Sequence, residues 1–438
     1  MSSDQLRIAI NAQKNPDSGS GGVSSVLVGL LSALSRLEGN EHYIIVGTPE
    51  NREWLSQFTG NNQEIIIHQT PLNTITERKK SFARRLFTPL ARPAIRALRK
   101  ELGYMPSTKP LWPQVPLSDG FWESLGCKVV HFPYQDYVVC SLPSVYNPHD
   151  LQHLHYPQYF PPKEIAKRET IYSAGCHFAN TVVVASQWIK NDIIKNYAID
   201  PGKIQVIPWA PPTETYPLPT SDEIEEVKRK YSLHLPFALY PAMTWEHKNH
   251  LRLIEGYNRA RKESDIHLQI ICTGKQHEPH WSKIQKLVEK LGLTEDVRFL
   301  GLLSEKELRC LYRQATFVIV PTLFEAASGP VFEAWHDNVP VACSTVTSLP
   351  EQVADGALLF DPFSVDAIKE TLLRLTNEPA LREKLITKGT QRLHDFSWSK
   401  TAKAFRAVYR RAAGVDLTNE DEQLLAVNWM AHAGTHRT

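Results

Sequence analysis

The sequence lacks most of the marks of a special environment. Its six cysteines (Cys127, Cys140, Cys176, Cys272, Cys310 and Cys343) lie far apart in 438 residues with no C-x-x-C pair, so neither a disulfide frame nor a cysteine zinc cluster is expected. No Asn-x-Ser/Thr acceptor occurs, and the N-terminus enters the strand-like run Leu6–Ile10 without a charged leader and apolar core. A signal peptide and secretion are therefore not expected. Apolar runs such as Val26–Leu31 and Phe317–Pro321 fall far below the roughly 18 residues of a membrane-spanning helix. The net charge is only +2, which excludes a global electrostatic drive toward nucleic acid. No D-x-D occurs to hold a diphosphate-bound Mg²⁺. The expectation is a cytoplasmic protein, with no nucleic-acid partner and no metal.

What is present is an α/β pattern. Short runs rich in β-branched residues alternate with stretches of helical period, which predicts βαβ units and parallel sheets. Candidate strands are Leu6–Asn11, Tyr43–Thr48, Glu64–His68, Lys128–Phe132, Thr181–Ser186 and Ile204–Pro208. The alternation stops at a cluster of prolines (Pro208, Pro211, Pro212, Pro217, Pro219) and a charged run, Asp222–Lys230, and restarts at Phe237–Pro241. Further strands follow at His267–Thr273, Asp296–Leu300, Thr316–Pro321, Val339–Cys343 and Ala357–Phe360. Clustered prolines continue neither a strand nor a helix interior, so the interruption reads as a linker.

The chain thus divides into a Rossmann-like domain, 1–213, a linker, 214–236, and a second Rossmann-like domain, 237–396. Trp398, Ala402, Phe405 and Val408-Tyr409 recur at helical spacing, so 397–412 is an amphipathic helix that needs a surface to cover. Periodicity fades after Gly414, and 413–438 reads as a loosely held tail. Residues 78–100 break the pattern: between Glu77 and Glu101 nine basic residues face two acids, with Phe82, Leu86, Leu90, Ile95 and Leu98 interleaved. Such a segment either contacts an anionic lipid surface or acceptor or is a solvated basic face.

Chemistry concentrates in Phe324–Trp335, F-E-A-A-S-G-P-V-F-E-A-W, after the strand Phe317–Pro321. Ligands of doubly wound sheets bind beyond the carboxyl ends of the strands. Ser328 and Gly329 supply a loop, Pro330 suits a first helical turn, and free N–H groups at such a start face anions. Glu325 and Glu333 bracket the segment, and carboxylates accept paired hydrogen bonds from diols. Leu239–His250 repeats the strand-loop-helix order with Lys248 in the loop, where a point charge neutralises a diphosphate. Gly19, Gly21 and Gly22 follow the first strand, and glycine lets backbone amides approach a phosphate. Tyr146–Pro157 holds His149, His153 and His155, which raises a metal reading that no neighbouring acid pair or cysteine supports.

The E-x7-E spacing of Glu325 and Glu333 resembles the signature of the retaining glycosyltransferases of family 4, which have the GT-B fold: two Rossmann-like domains facing across a cleft. The resemblance implies that Glu333 binds the donor's ribose and Glu325 lies by the donor sugar. Lys248 matches the Lys of the family's Gly-Arg-x4-Lys pattern, with Met243 where the Arg would stand and Arg252 or Lys275 as candidate replacements. His149 matches a His-Asp element whose His points at the donor sugar. His153 and His155 are then structural or acceptor-side, and His131 has a weaker claim. Gly21 and Gly22 match a loop that closes over the donor. Ser328, Gly329, Pro330 and Val331 form the helix start at the donor, although Ser328 stands where relatives usually carry glycine. Val297–Gly301 and Ser304–Leu308 resemble the strand and helix that flank the base pocket, and Gly274 ends the preceding strand as in the family.

The resemblance implies a metal-independent hexosyltransferase, mannosyl- or glucosyl-, using a nucleotide-diphosphate sugar and a glycan, lipid-linked or small-molecule acceptor, in the cytoplasm or peripherally on the inner face of a membrane. An epimerase of the same fold and a catalytically silent nucleotide-sugar-binding protein are the alternatives. A NAD-dependent dehydrogenase would need a complete G-x-G-x-x-G after a strand, which is absent.

Overall fold

The alternation of short strands and longer helices closes, in a computed structural model, into two all-parallel sheets. The structure describes residues 5–14, 22–68, 114–210, 217–264 and 266–431. Gly21, the basic segment 78–100, Pro211 and Pro212 lie outside the described residues. The first sheet contains β1 (Leu6–Asn11), β2 (Glu41–Gly47), β3 (Gln63–Ile67), β4 (Val129–Phe132), β5 (Ser144–Tyr146), β6 (Thr181–Val184) and β7 (Ile204–Val206), in the order β3-β2-β1-β4-β5-β6-β7. The second contains β8 (Phe237–Pro241), β9 (Gln269–Thr273), β10 (Val297–Phe299), β11 (Phe317–Val320), β12 (Val341–Ser344) and β13 (Leu358–Phe360), in the order β10-β9-β8-β11-β12-β13.

Every residue of β4, β6, β11 and β12 is buried, because helices cover both faces of a parallel sheet and leave no room for polar alternation. In each sheet the chain winds outward from its first strand and then crosses to that strand's other side. The reversal falls between β1 and β4 and between β8 and β11, and such crevices are where doubly wound folds bind ligands.

Three expectations change. β5 has no counterpart among the predicted strands: it is three residues long, too short to show a period, and is recognisable only by its pairing with β4 and β6. The stretch read as a linker holds a helix, Ser221–Lys230, opened by a capping box of Thr220 and Glu223. That helix is tied to the second domain's helix Glu305–Tyr312 by an ion pair from Lys306 to Glu223 and another from Lys230 to Glu307 at 2.6 Å. The tail read as loose holds the helix Asn419–Ala426, with Leu424 and Trp429 buried and Asp421 accepting from Arg410 at 2.8 Å. Its apolar anchors are too sparse to show a period.

The helix Trp398–Ala412 leaves the second domain and packs on the helix Gly22–Leu34 of the first. Gly29 makes the contact possible, since a Cβ there would meet the Trp398 ring at 2.0 Å. Thr401 donates to Pro208 O at 2.9 Å, and Arg410 pairs with Glu41 at 2.6 Å. Burying Phe405 and Val408 along this helix contributes about 1.5–3 kcal/mol each, so the helix fastens the two domains together. Among the described residues no helix is long and apolar enough to cross a membrane.

Candidate functional site

At the crevice between β8 and β11 the chain leaves β8 through a short turn, Glu246–Lys248, and enters the helix His250–Glu263 at Asn249. Asn249 has φ +63°, a left-handed conformation that asparagine tolerates better than most residues. Its side-chain amide donates to Pro321 O and Pro362 O, each at 2.9 Å, while Leu323 N donates to His247 O at 2.7 Å. The loop after β8 is thereby fixed to the loop after β11, and Lys248 Nζ reaches Glu325 Oε1 at 2.5 Å. Burial pushes the Glu325 carboxyl up from its ordinary range, the Lys248 ammonium opposes this, and Asp150 adds to it.

The segment after Glu325 is held just as closely. Thr347 Oγ1 accepts from Glu325 N at 3.0 Å and donates to Glu325 O at 2.6 Å, and Ser348 donates to the same carbonyl at 2.8 Å. The Gln352 amide binds both Ser328 N (2.8 Å) and Ser328 O (2.9 Å). Gly329, Pro330 and Val331 then open the helix Gly329–His336, and the Ser328 hydroxyl makes no capping bond. One turn in, Glu333 Oε2 accepts from the Tyr312 hydroxyl at 2.6 Å. Burial pushes the Glu333 carboxyl up to about 7, against the Tyr312 hydrogen bond, and Glu305 and Asp337 add their negative charge.

Across the cleft, His149 has φ +66° and is buried. Its Nε2–H donates to Pro133 O at 2.7 Å, which leaves Nδ1 as a bare acceptor, and Trp209 packs edge-on against the ring. Burial pushes its pKa down to about 4, so the ring is neutral. Asp150 follows it, with a carboxyl raised chiefly by burial and lowered in part by the hydrogen bond from Gln152 N and by the charges of Arg168, His153 and Lys248. The domains also meet directly. Tyr156 donates to Leu323 O at 3.1 Å, Trp188 N donates to Glu351 at 2.8 Å, and Phe324 packs against Trp188 and His155.

The remaining histidines are engaged elsewhere. His131 lies between Asn147 Oδ1 (2.6 Å) and the Tyr409 hydroxyl (2.8 Å), His153 binds Glu169 (2.6 Å), and His155 binds Asp192 (2.9 Å). Among the described residues no group of three His, Cys, Asp or Glu side chains is placed to share a metal ion. Of the candidate replacements for a cation at Met243, Arg252 donates to Asn249 Oδ1 at 3.0 Å and Lys275 is exposed. Gly22 opens a helix, and Gly21 lies outside the described residues. Sequence reasoning missed Asn249, Tyr312, Thr347 and Gln352. Asn249 alone left a trace, as an asparagine between a turn and a helix.

Comparison with known proteins agrees with this arrangement. A model described as "Glycosyltransferase Family 4" matches residues 20–214, and one described as "Glycosyl transferases group 1" matches residues 223–392. The O-antigen chain mannosyltransferase B of Escherichia coli is 28% identical over 278 residues, 60% of this chain and 72% of the relative. The MMP alpha-(1->4)-mannosyltransferase of Mycolicibacterium hassiacum is 29% identical over 226 residues, 51% of this chain and about half (52%) of that relative's length. Among solved structures, Anabaena Alr3699/HepE in complex with UDP-glucose superposes with a TM-score of 0.64 at 13% identity, covering 93% of this chain and 100% of that one. With both family models accounting for most of its length and both sheets in this arrangement, the chain belongs to the family 4 glycosyltransferases and has the GT-B fold.

Proposed function

We propose that this glycosyltransferase moves a hexosyl group, mannosyl by preference, from a nucleotide-diphosphate sugar to a glycan or lipid-linked acceptor, with retention at the anomeric carbon and without a metal. The observation that carries the reading is the Lys248–Glu325 pair at the β8/β11 crevice. It sets a cation suited to a diphosphate beside a carboxylate suited to sugar hydroxyls, with Glu333 one helical turn further on. Mannose is favoured because both relatives described above are named as mannosyltransferases.

In this reading the bond from the anomeric carbon to the diphosphate oxygen breaks while the acceptor oxygen bonds on the same face, and a phosphate oxygen takes the acceptor's proton. Lys248 and the start of the helix Gly329–His336 stabilise the charge that develops on the leaving diphosphate. Glu325 and His149 orient the sugar: the carboxylate accepts its hydroxyl hydrogens and so does the bare Nδ1. Glu333 accepts from the ribose diol.

Thermal-shift screening with UDP-, GDP- and ADP-sugars tests the donor, because a ligand that binds only the folded state raises its stability. The anomeric configuration of the product, read by NMR, tests retention. Conversion of the donor without an acceptor would instead favour an epimerase, and transfer abolished by EDTA and restored by Mn²⁺ would overturn metal independence.

A further inference from the structure

The end of β1 carries a charge that the site described above does not use. Beyond the strand, the buried Asn51 amide donates to Ala12 O at 2.7 Å and to Lys14 O at 3.0 Å, which pins the backbone and gives Lys14 a set position. The Lys14 ammonium lies over the Tyr134 ring, 4.9 Å from its centroid. Its basic neighbours have anions of their own: Lys167 pairs with Asp136 at 3.8 Å and Arg168 with Glu164 at 2.9 Å. Among the described residues Lys14 Nζ has neither an ion pair nor a hydrogen bond. Burial lowers its pKa, Asp136 opposes that, and Lys167 and Arg168 add to it.

Two more polar atoms in this corner have no partner among the described residues: the Tyr134 hydroxyl and His149 Nδ1. Both side chains are more than nine-tenths buried, at 2% and 3% exposure. They are linked through Pro133, which precedes Tyr134 and whose carbonyl holds His149 Nε2. Buried groups left unpaired cost free energy that a complementary ligand recovers. A cation, a hydroxyl donor and a bare imidazole nitrogen at the β1/β4 crevice complement a ligand that carries negative charge next to a hydroxyl group. The corner also adjoins the donor site. His149 feels the Lys14 charge, and Asp150, the next residue, feels that of Lys248, so the two ammoniums reach the His149-Asp150 pair from opposite domains.

We propose that Lys14 binds a phosphate group in the cleft from the first domain, opposite Lys248 of the second. The inference rests on the sugar-nucleotide reading, which offers two sources for that phosphate: the donor's diphosphate or a phosphorylated acceptor.

Isothermal titration of the full chain, as wild type, Lys14→Met and Lys14→Arg, tests it. One arm uses UDP, GDP and ADP with uridine, guanosine and adenosine as controls; the other uses mannose 6-phosphate against mannose, with and without saturating nucleotide. Loss of a charge-assisted hydrogen bond predicts that Lys14→Met weakens a phosphate-bearing probe by about ten-fold or more. The uncharged controls should not move, and Lys14→Arg should recover part of the loss. A loss among the nucleotides assigns the donor diphosphate, and a loss confined to mannose 6-phosphate assigns the acceptor. Equal affinity of wild type and Lys14→Met for every phosphate probe overturns the inference. A wild type that binds no nucleotide fails the donor reading instead, and the inference then stands or falls on mannose 6-phosphate without nucleotide. Thermal unfolding of both variants shows whether any loss is one of folding.

Discussion

The two sheet ends that face each other across the cleft are built on opposite lines. At the β8/β11 end each singled-out charge has a partner: Lys248 meets Glu325, Glu333 meets Tyr312, and Thr347, Ser348 and Gln352 fix the backbone between the two carboxylates. At the β1/β4 end Lys14 Nζ, which lies over the Tyr134 ring, the Tyr134 hydroxyl and His149 Nδ1 have no hydrogen-bond or ion-pair partner among the described residues. Paired groups hold a shape in advance, so that binding costs little reorganisation, whereas unpaired buried groups hold affinity in reserve. On the proposed reading, the difference suits the second domain to one donor and leaves the first to the molecule it meets.

The largest effect should come from the paired side. Replacing Glu325 by Gln keeps the volume but removes the charge that Lys248 meets and turns one accepting oxygen into a donor, and kcat/KM for transfer should fall about 100- to 1000-fold. Wild-type turnover in Glu325→Gln would break the contrast, because the pair would then be a brace and not a site. Next is Asn249→Ala. It strips the buried acceptors Pro321 O and Pro362 O of their donor at a position with φ +63°. A stability loss of roughly 2–4 kcal/mol is expected, measured as a lower unfolding midpoint, with donor affinity falling alongside as the loop carrying Lys248 loosens.

The sequence exposed these two ends unequally, for a physical reason. Runs such as Phe317–Val320 declare themselves because a strand covered on both faces must be apolar throughout, so the sheets were legible. Lys248, Glu325 and Glu333 could be singled out as candidates because the motifs that carry the family resemblance each lie within a single loop-helix unit. Tyr312 and Gln352 were not: their partners lie 21 and 24 residues away on other elements, and no local period marks such a contact. The three histidines between residues 149 and 155 raise a metal reading that the sequence does not support, and His153 and His155 read as structural or acceptor-side. His153 binds Glu169 and His155 binds Asp192, acids that sequence proximity does not point to.

A smaller effect sharpens the contrast through pH. The folded Glu333 carboxyl holds its proton up to about pH 7, against an ordinary value of 4.5. Between those values the folded state binds more protons than the unfolded chain, so stability is highest below the window and falls as pH rises through it, by at most about 3 kcal/mol. Donor affinity should run the other way, rising from about pH 6 to about pH 8, because the ionised carboxylate accepts both ribose hydroxyls. Glu333→Gln should flatten both trends. A donor affinity that stays constant with pH in the wild type would remove Glu333 from the ribose.

The smallest effect separates the first domain's satisfied groups from its unsatisfied ones. His131 and His149 are both buried, with pKa values pushed down to about 4 by burial, but only His131 has both ring nitrogens occupied. Asn147 Oδ1 accepts from Nε2–H, so Nδ1 must accept from the Tyr409 hydroxyl, which joins β4 to the helix Trp398–Ala412. Tyr409→Phe keeps the edge contact with Tyr43 and removes only that hydroxyl, leaving one buried acceptor unpaired at a cost of about 1–2 kcal/mol. Stability should fall by that amount while donor and acceptor affinities hold. If affinity fell as far as it does in Lys14→Met, a satisfied histidine and an unsatisfied lysine would be doing the same work, and the division between groups that hold the fold and groups that await a ligand would not survive.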